Sequence, residues 1–546
     1  MEPTGSLGST FGPVGASLDD SVLGPAPAIP ALTVVHHPDL ARVGDVALLP
    51  DLARGRPCPL SRLAPELAAP GAGTGAPLGD RHLSREPLLF APGAEGGVRL
   101  VVGASRTRVV ADGAPLAGEA TFPRASLERG VILELSERIV LLLHLRRSAP
   151  EKDGADFGLI GASEGLARVR FDIRQVADLD VPVLIRGETG TGKELVARAV
   201  HAASRRRSGT FVGVNLGSVP PTLAAAELFG AVKGAFTGSV QARQGFFRRA
   251  HGGTLFLDEI GEVTAEVQAM LLRVLETGEI YAVGSQAADR VDVRVLAATD
   301  SNLEARAKSG DFRAPLLHRL GGYVIWLPPL SDRREDFGRL LLHFLREKLA
   351  RVGDASRLDD PEAAWLPAGL VARLARHPWP GNVRQLRNVA RQLAIASRGQ
   401  ERFAVTPSVE RLLAEDPTGA TGARRAAEAQ ARSVATGRGE ERAAAPPRRR
   451  AGELSDAEVA AAMRAHRYDL QAAAAALGVS RPSLYERIAL HPTLRTAGDL
   501  SPEEIAACHA ECAGDLDRMV DRLEVSRRAL ARRLREVGLA VREAGG

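Results

Sequence analysis

At 546 residues the chain is too long for one hydrophobic core, and length alone argues for roughly three to four domains. A hydrophobic share of 45% with 25% charged residues is ordinary for a soluble globular protein, and aromatics at 4% leave the cores to Leu, Val, Ile and Ala. The net charge of +5 gives no whole-chain field toward nucleic acid, so any DNA contact must come from local clusters.

Among 71 basic residues only five are Lys (Lys152, Lys193, Lys233, Lys308 and Lys348), so each stands out against an arginine background. Three cysteines, Cys58, Cys508 and Cys512, make no disulfide framework and fit a reducing compartment. Cys508 and Cys512 stand four apart with no Cys/His pair at zinc spacing, and read as packed small residues. The first basic residue is Arg42, and no apolar run approaches the roughly 20 residues that span a bilayer. A cytoplasmic location without membrane contact is expected.

In chain order, residues 1–30 are rich in Gly, Pro and Ser and read as disordered. Residues 31–147 hold short β-type runs, Leu32–Val35, Val46–Leu49, Val98–Val102, Val131–Leu135 and Ile139–Leu145, separated by Gly/Pro/Asp clusters. They predict a small β-sandwich. From 155 to 330 apolar strands alternate with helical patterns, the signature of a parallel α/β sheet, and 331–415 reads as a helical lid. Residues 416–452 carry eight Arg against three Glu among Ala, Gly and Pro, a basic flexible linker.

An internal repeat at an offset of 46 closes the chain: Leu454-Ser455 matches Leu500-Ser501, Asp469-Leu470 matches Asp515-Leu516, and Val479-Ser480-Arg481 matches Val525-Ser526-Arg527. Two copies are too few for a solenoid, so 453–490 and 500–540 are two small helical units. The fold expected is thus multidomain: β-sandwich, α/β P-loop core with helical lid, all-α C-terminus.

The chemistry concentrates in the α/β region. Val181–Arg186 is strand-like and is followed by Gly187-Glu188-Thr189-Gly190-Thr191-Gly192-Lys193-Glu194 and a helix. Strand, glycine loop and helix is the context of a P-loop: backbone N–H groups curl around phosphate, the helix N-terminus adds its positive end, and Lys193 reaches the β- and γ-phosphates. Glu194 stands where Ser or Thr usually ligates Mg²⁺, so another carboxylate or water must complete the metal shell. The buried strand Thr254–Leu257 ends in Asp258-Glu259. Asp258 is placed to hold Mg²⁺ and Glu259 to polarise the attacking water. A third strand ends at Thr299-Asp300, where a polar side chain can sense the γ-phosphate. Beyond the sheet lie Arg313 and Arg319, candidates for fingers that serve a neighbouring subunit.

In order along the chain, Gly187–Glu194, Glu227-Leu228-Phe229-Gly230, Gly234-Ala235-Phe236-Thr237-Gly238-Ser239, Thr254–Ile260, Arg313 with Arg319, Leu327-Pro328-Pro329-Leu330 and Trp379-Pro380-Gly381-Asn382-Val383-Arg384 resemble the AAA+ core of bacterial enhancer-binding proteins, the activators of sigma-54 RNA polymerase. The resemblance covers about 157 to 395. It implies that Gly234–Ser239 is similar to the GAFTGA loop that touches sigma-54. It further implies that Asn215 couples to Glu259 as a switch, that Arg313 and Arg319 act across a hexamer interface, and that Arg384 senses nucleotide from the lid. Glu194 is also that family's usual residue. Ser239, Ala231-Val232, Pro315 and Gln385 depart from its pattern without removing a catalytic group.

The first C-terminal repeat reads as helix, Gly478 turn and second helix, and resembles the Fis-type helix-turn-helix that ends enhancer-binding proteins. Ser480, Arg481, Ser483, Tyr485 and Arg487 are its candidate contacts to double-stranded DNA. The second repeat has Glu524 and Arg528 where the first has Gly478 and Pro482. It reads as a second DNA reader, a phosphate clamp or a purely structural copy. In the N-terminal region Arg62, Ser84 and Arg85 resemble the phosphothreonine-binding residues of forkhead-associated domains, although Pro87 and Thr107 replace that family's His and Asn. Either phosphothreonine binding or a sandwich that only packs or oligomerises follows.

The function expected is a sigma-54-dependent transcriptional activator: an ATP- and Mg²⁺-dependent ring ATPase, probed through Glu259, Arg313 and Arg319. The rival reading is a DNA-binding regulator that senses nucleotide without motor activity.

Overall fold

The computed structural model describes residues 28–147, 156–234, 242–358, 365–400, 403–414 and 455–466, with 468, 470–477, 479, 484, 487–488, 500–512, 514–537 and 539. The linker 416–452 and most of 1–30 lie outside the described residues. The chain divides into two compact units, Met1–Glu428 and Ala429–Gly546.

The first unit opens with ten strands: β1 (Ile29–His36), β2 (Val46–Leu48), β3 (Cys58–Leu60), β4 (Leu88–Pro92), β5 (Val98–Val101), β6 (Val109–Ala111), β7 (Ala114–Leu116), β8 (Glu119–Phe122), β9 (Val131–Leu135) and β10 (Ile139–Arg146), with helix α1 (Arg124–Arg129) before β9. One sheet runs β2-β1-β10-β9-β6-β7 and the other β3-β4-β5-β8. β1 starts at Ile29, inside the stretch that composition alone assigns to disorder; Ile29 and Pro30 are held by pairing with Arg146 and Leu145.

The two long strands explain their own sequences. Along β10, Ile139, Leu141 and Leu143 enter the core shared by the two sheets, whereas Val140 and Leu142 enter a second core. β1 does the same with Leu32 and Val34 on one side and Val35 on the other. An uninterrupted apolar run rather than an alternating one is what burial on both faces demands.

The α/β core adds seven strands and the helices around them: α2 (Glu164–Ala177), β11 (Val183–Arg186), α3 (Lys193–Ala203), β12 (Phe211–Asn215), α4 (Pro221–Phe229), β13 (Thr254–Asp258), α5 (Ala265–Thr277), the hairpin β14–β15 (Glu279–Tyr281, Ala288–Arg290), β16 (Arg294–Thr299), α6 (Leu303–Ser309), α7 (Ala314–Leu320) and β17 (Tyr323–Trp326). The main sheet is parallel throughout, in the order β12-β13-β16-β11-β17. All five strands therefore end on one edge, where ligands bind in such sheets. The lid follows as α8 (Phe337–Val352), α9 (Ala368–Arg376), α10 (Asn382–Ala396) and α11 (Pro407–Ala414).

Sandwich and lid share the second core. Val35, Leu40, Val43, Ile132, Val140 and Leu142 pack in one cluster with Phe337, Leu341, Leu345, Trp379, Leu386 and Leu393 of the lid. α8 comes so close to β1 that a Cβ on Gly338 would stand 2.3 Å from the Val35 carbonyl oxygen. Arg334 stitches the seam, donating to the carbonyls of Arg129 and Gly130 at 2.7 Å each and of Ala375 at 2.8 Å. The buried Asp336 carboxylate ties the start of the α/β core to the lid, accepting from the Ala162 and Ser163 amides at 2.6 and 2.9 Å and from the Ser163 hydroxyl at 2.5 Å.

The second unit holds α12 (Asp456–Ala465), α13 (Leu470–Leu477), α14 (Pro502–Glu511), α15 (Leu516–Leu523) and α16 (Arg527–Val537) around one core. Among the described residues no helix is long and apolar enough to cross a membrane.

Candidate nucleotide site

The glycine loop sits between the end of β11 and the start of α3, on the edge where the parallel strands finish. Gly192 has φ of 109° and caps α3. Lys193 is 9% exposed, and its ammonium donates to the carbonyls of Gly187 and Glu188 at 2.8 and 3.3 Å. Burial pulls its pKa down, while Asp300, Asp258 and Glu259 push it back up and Arg384 adds repulsion. Those four charged groups therefore all act on the lysine electrostatically. Glu194 points elsewhere, to Arg198 at 2.7 Å on the exposed face of α3.

Asp258 ends β13 beside Asn215, which ends β12 in direct register. The Asp258 carboxylate accepts from the Glu259 amide at 3.1 Å and from the Asn215 amide group at 3.4 Å. The resemblance implies a pairing of Asn215 with Glu259; the hydrogen bond observed goes to Asp258 instead. The Asn215 side-chain oxygen accepts from the Ser218 amide at 3.1 Å, which caps the turn Leu216–Ser218. Glu259 takes a left-handed backbone, φ of 56°, and its carboxylate lies over Gly217, where a Cβ would come within 2.0 Å of Oε2. A side chain at position 217 would have to displace that carboxylate.

Mg²⁺ fits this donor set. Among the described residues no three acidic, His or Cys side chains form a metal cage. A hard cation that is held by one or two carboxylates plus phosphate oxygens needs no such cage, and Asp258 and Glu259 stand beside the phosphate-gripping lysine.

The lid clasps the loop through Arg384 and through two residues given no role from the sequence, Asn382 and Arg333. Asn382, fully buried, donates to the Glu188 carboxylate and the Thr189 carbonyl at 3.0 and 3.1 Å. The Arg384 amide donates to the Gly190 carbonyl at 3.1 Å, and the buried Arg333 guanidinium to the Thr191 carbonyl at 3.0 Å. A Cβ on Gly190 would meet the Gly381 carbonyl oxygen at 2.4 Å. Asp300 accepts from the Thr189 hydroxyl at 2.5 Å, so the polar end of β16 does reach the loop.

Arg313 and Arg319 are exposed at the two ends of α7. The Arg313 amide is pinned by Gln268 at 2.8 Å, and the Arg319 side chain donates to the Leu275 carbonyl at 2.9 Å. Pro315 falls in the first turn of α7, where a missing N–H costs nothing. Of Gly234–Ser239, only Gly234 is described, with φ of 81°; Ala235, Phe236, Thr237, Gly238 and Ser239 lie outside the described residues. The stem below them is firm: Ala231 and Arg243 exchange backbone hydrogen bonds at 3.0 and 2.8 Å, and Arg243 pairs with Glu227 at 2.5 Å.

In the sandwich, the Arg62 amide donates to the Ser84 carbonyl at 3.2 Å and the Ser84 amide to the Thr107 hydroxyl at 2.9 Å. Arg62, Ser84 and Thr107 thus meet, with Arg85 exposed on the same turn. In the C-terminal unit, Ser480, Arg481, Ser483 and Tyr485 lie outside the described residues. The Arg487 guanidinium pairs with Asp456, at the start of α12, at 2.7 Å. Burial pushes the Cys508 thiol up to about 11, in keeping with a packed residue.

Residues 159–325 match the sigma-54 interaction domain family, and residues 331–408 match the AAA+ ATPase lid domain family. The DNA-binding transcriptional regulator NtrC of Escherichia coli strain K12 is 46% identical over 249 residues, 46% of this chain and 52% of that protein. The nitric oxide reductase transcription regulator NorR2 of Cupriavidus necator is 44% identical over 295 residues, 51% of this chain and 55% of that one. A crystal structure of NtrX from Brucella abortus in complex with ADP covers 70% of this chain and 69% of its own at 28% identity, with a TM-score of 0.40. The chain spans about half the length of the curated relatives it matches.

Proposed function

We propose that the chain, whose centre is an AAA+ domain of the sigma-54 interaction family followed by its lid, is a sigma-54-dependent transcriptional activator that spends ATP to remodel the closed promoter complex. The observation that carries the reading is the glycine loop with Lys193 held on the Gly187 and Glu188 carbonyls, on the same sheet edge where β13 ends in Asp258 with Glu259 next. Lys193 exchanges the loop carbonyls for the β- and γ-phosphates. Asp258 would hold Mg²⁺, which when bound would supply charge neutralisation at the phosphoryl oxygens. Glu259, one residue on, orients and deprotonates the attacking water. Arg313 and Arg319, solvent-facing in one chain, reach the nucleotide of a neighbour in a ring, for which a hexamer is the expected form. The Gly234–Ser239 loop stands on its pinned stem as the contact to sigma-54.

Double-stranded DNA upstream of the promoter is held by the first helix-turn-helix repeat. The cluster of Arg62, Ser84 and Arg85 offers two cations and a hydroxyl to a phosphothreonine of a partner protein, with the buried Thr107 hydroxyl holding the Ser84 amide, which makes the sandwich the receiver of a kinase signal.

Two substitutions in the full chain test the core of this reading. Glu259→Gln leaves ATP binding intact and lowers phosphate release by about 10²–10⁴-fold; undiminished release would leave a nucleotide-sensing regulator without a motor. Thr237→Ala leaves hydrolysis intact and abolishes open-complex formation with sigma-54 polymerase; persistent transcription would remove the loop from the mechanism.

A further inference from the structure

We propose that the second C-terminal repeat is a DNA-contacting helix-turn-helix in its own right, gripping phosphates through α16, so that one chain presents two such units where the first repeat alone would present one. The inference rests on the reading that the C-terminal unit binds DNA.

The repeat is structural as well as textual. Ser455 and Ser501 each cap their first helix with a complete capping box, closed by Glu458 and Glu504. The first turn of each repeat contains a left-handed residue at the same place, Tyr468 with φ of 61° and Gly514 with φ of 77°. Each of these donates its amide five residues back, to Met463 at 2.7 Å and to His509 at 3.0 Å. The buried positions correspond throughout: Val459 with Ile505, Ala473 with Met519, Ala474 with Val520, Leu484 with Leu530 and Ile488 with Leu534, none above 3% exposure. Arg533, the counterpart of Arg487, likewise ties the third helix back to the start of the first, donating to the Leu500 carbonyl at 3.2 Å.

The turn before α16 supplies the remaining requirement. A tight turn between the second and third helices needs a left-handed residue, which glycine provides most readily. Glu524 adopts it with φ of 55° although it is not glycine. Its carboxylate is engaged by the first repeat, through Arg464 at 3.7 Å and the Tyr468 hydroxyl. The departure at this position therefore preserves the turn and also locks the two repeats together in one core.

Charge is sorted by helix in the second repeat. α14 carries Glu503, Glu504 and Glu511 with no Lys or Arg, α15 balances Asp517 and Asp521 against Arg518 and Arg522, and α16 carries five Arg against one Glu. Three of those arginines, Arg528, Arg532 and Arg535, recur in the sequence at i, i+4 and i+7, a spacing that falls out of phase with that of Leu530 and Leu534, which are buried. A helix that merely packed would not need its cations at one helical spacing. The first repeat has Pro482, Glu486 and Ala489 at these positions, so it lacks that series. Arginine without the polar side chains that read base edges points to phosphate contacts, which set affinity and register rather than sequence.

Full-chain protein and a fluorescein-labelled duplex of arbitrary sequence, ~40 base pairs long so that two units separated by about one helical turn both fit, test this by anisotropy across a salt series. Replacing Arg528 and Arg532 together by Ala lowers the slope of log Kd against log salt by about 2 and weakens binding by at least ~10-fold at low salt. The Arg528→Lys, Arg532→Lys pair retains both, because phosphate contact needs charge and not a guanidinium fork. Arg481→Ala in the first repeat serves as the independent arm. A wild-type chain that binds no duplex overturns the DNA reading itself. A wild-type chain that binds, with the Ala pair unchanged in slope and affinity, overturns the inference alone. So does a Lys pair that fails as the Ala pair does, since that would make the arginines structural.

Discussion

Asn382 shows how much one side chain decides at the nucleotide site. It opens α10 with φ of 51°, is fully buried, and uses both halves of its amide: the oxygen accepts from the Leu330 amide at 2.8 Å, and the nitrogen donates to Glu188 and Thr189 of the phosphate loop. A buried amide that loses its partners leaves each of them with a desolvation cost of about 1–3 kcal/mol. Asn382→Asp is the sharper test than Ala, because it keeps the acceptor for Leu330 and places a second carboxylate against Glu188. The expected outcome is a rise in the Kd for ATP of about 10-fold or more, read by a fluorescent nucleotide titration, with a smaller drop in melting temperature. Unchanged affinity would mean that the lid does not hold the loop through this residue. The sequence pattern around Trp379–Arg384 singles out this segment, but it cannot say which residue touches the loop, because the contact joins positions nearly two hundred apart in the chain.

Strands and helices were legible to the extent that burial has a period. The parallel core could be read because each strand is an apolar run between helical patterns. The five apolar runs correspond to β1, β2, β5, β9 and β10; β3, β6 and β7, three residues each, carry no period, and β4 and β8 are broken by Pro92 and by the polar Glu119 and Thr121. What could not be read is the seam between sandwich and lid. Apolar residues on the second face of β1 and β10 announce burial without naming the partner. Gly338 is where the partner shows itself, and a methyl group there would have to push the Val35 carbonyl away. Gly338→Ala should cost about 1–3 kcal/mol in chemical denaturation and raise hydrogen exchange in β1 and β10 before it affects β11.

The same seam sets a pH dependence. Burial holds His36 down at about 3 and His144 down at about 4, with nearby arginines adding to the effect. A histidine depressed in the folded state favours the neutral form, so its stabilisation is complete above the unfolded pKa of about 6.5 and is lost as pH falls from there toward 4. Glu335 works the other way: burial and Asp336 push it up to about 7, so its contribution is lost as pH rises from about 4.5 toward 7. Two histidines outweigh one glutamate between about 4.5 and 6.5, so the chain should be less stable at pH 5 than at pH 7.5. His144→Gln, which still offers Thr33 a hydrogen-bonding partner, should shrink the difference, and Glu335→Gln should enlarge it. The check is urea melts of all three proteins at both pH values; a wild-type chain more stable at pH 5 would reverse the sign.

At the scale of the first unit, the sandwich is not a bead on a string beside the ATPase. Composition suggests separate domains at 31–147 and 155–415, and a fragment starting near 155 looks like a natural truncation. The shared core argues against it. Removing the sandwich strips Val35, Leu40, Val43, Ile132, Val140 and Leu142 from the lid face made by α8, α9 and α10, and leaves Phe337, Leu341 and Leu345 without their cover. Each exposed large aliphatic or aromatic side chain forfeits about 1.5–3 kcal/mol. The loss falls on the lid, which also supplies Asn382, Arg384 and Arg333 to the phosphate loop. A 155–415 fragment should therefore melt well below the full first unit, bind a hydrophobic dye, and show weaker ATP affinity although every loop and acid residue is present. Equal melting temperature and equal affinity would show the common core to be dispensable. The arrangement also fixes what a ligand on the sandwich can influence. Thr107 precedes β6 and the Asp112 turn follows it, so the Arg62, Ser84 and Thr107 cluster and the seam near Arg334 lie at opposite ends of one short strand. A phosphothreonine peptide that tightens the first end should protect α8 and α10 in hydrogen exchange as well as the loops it touches; protection confined to those loops would uncouple the sandwich from the motor.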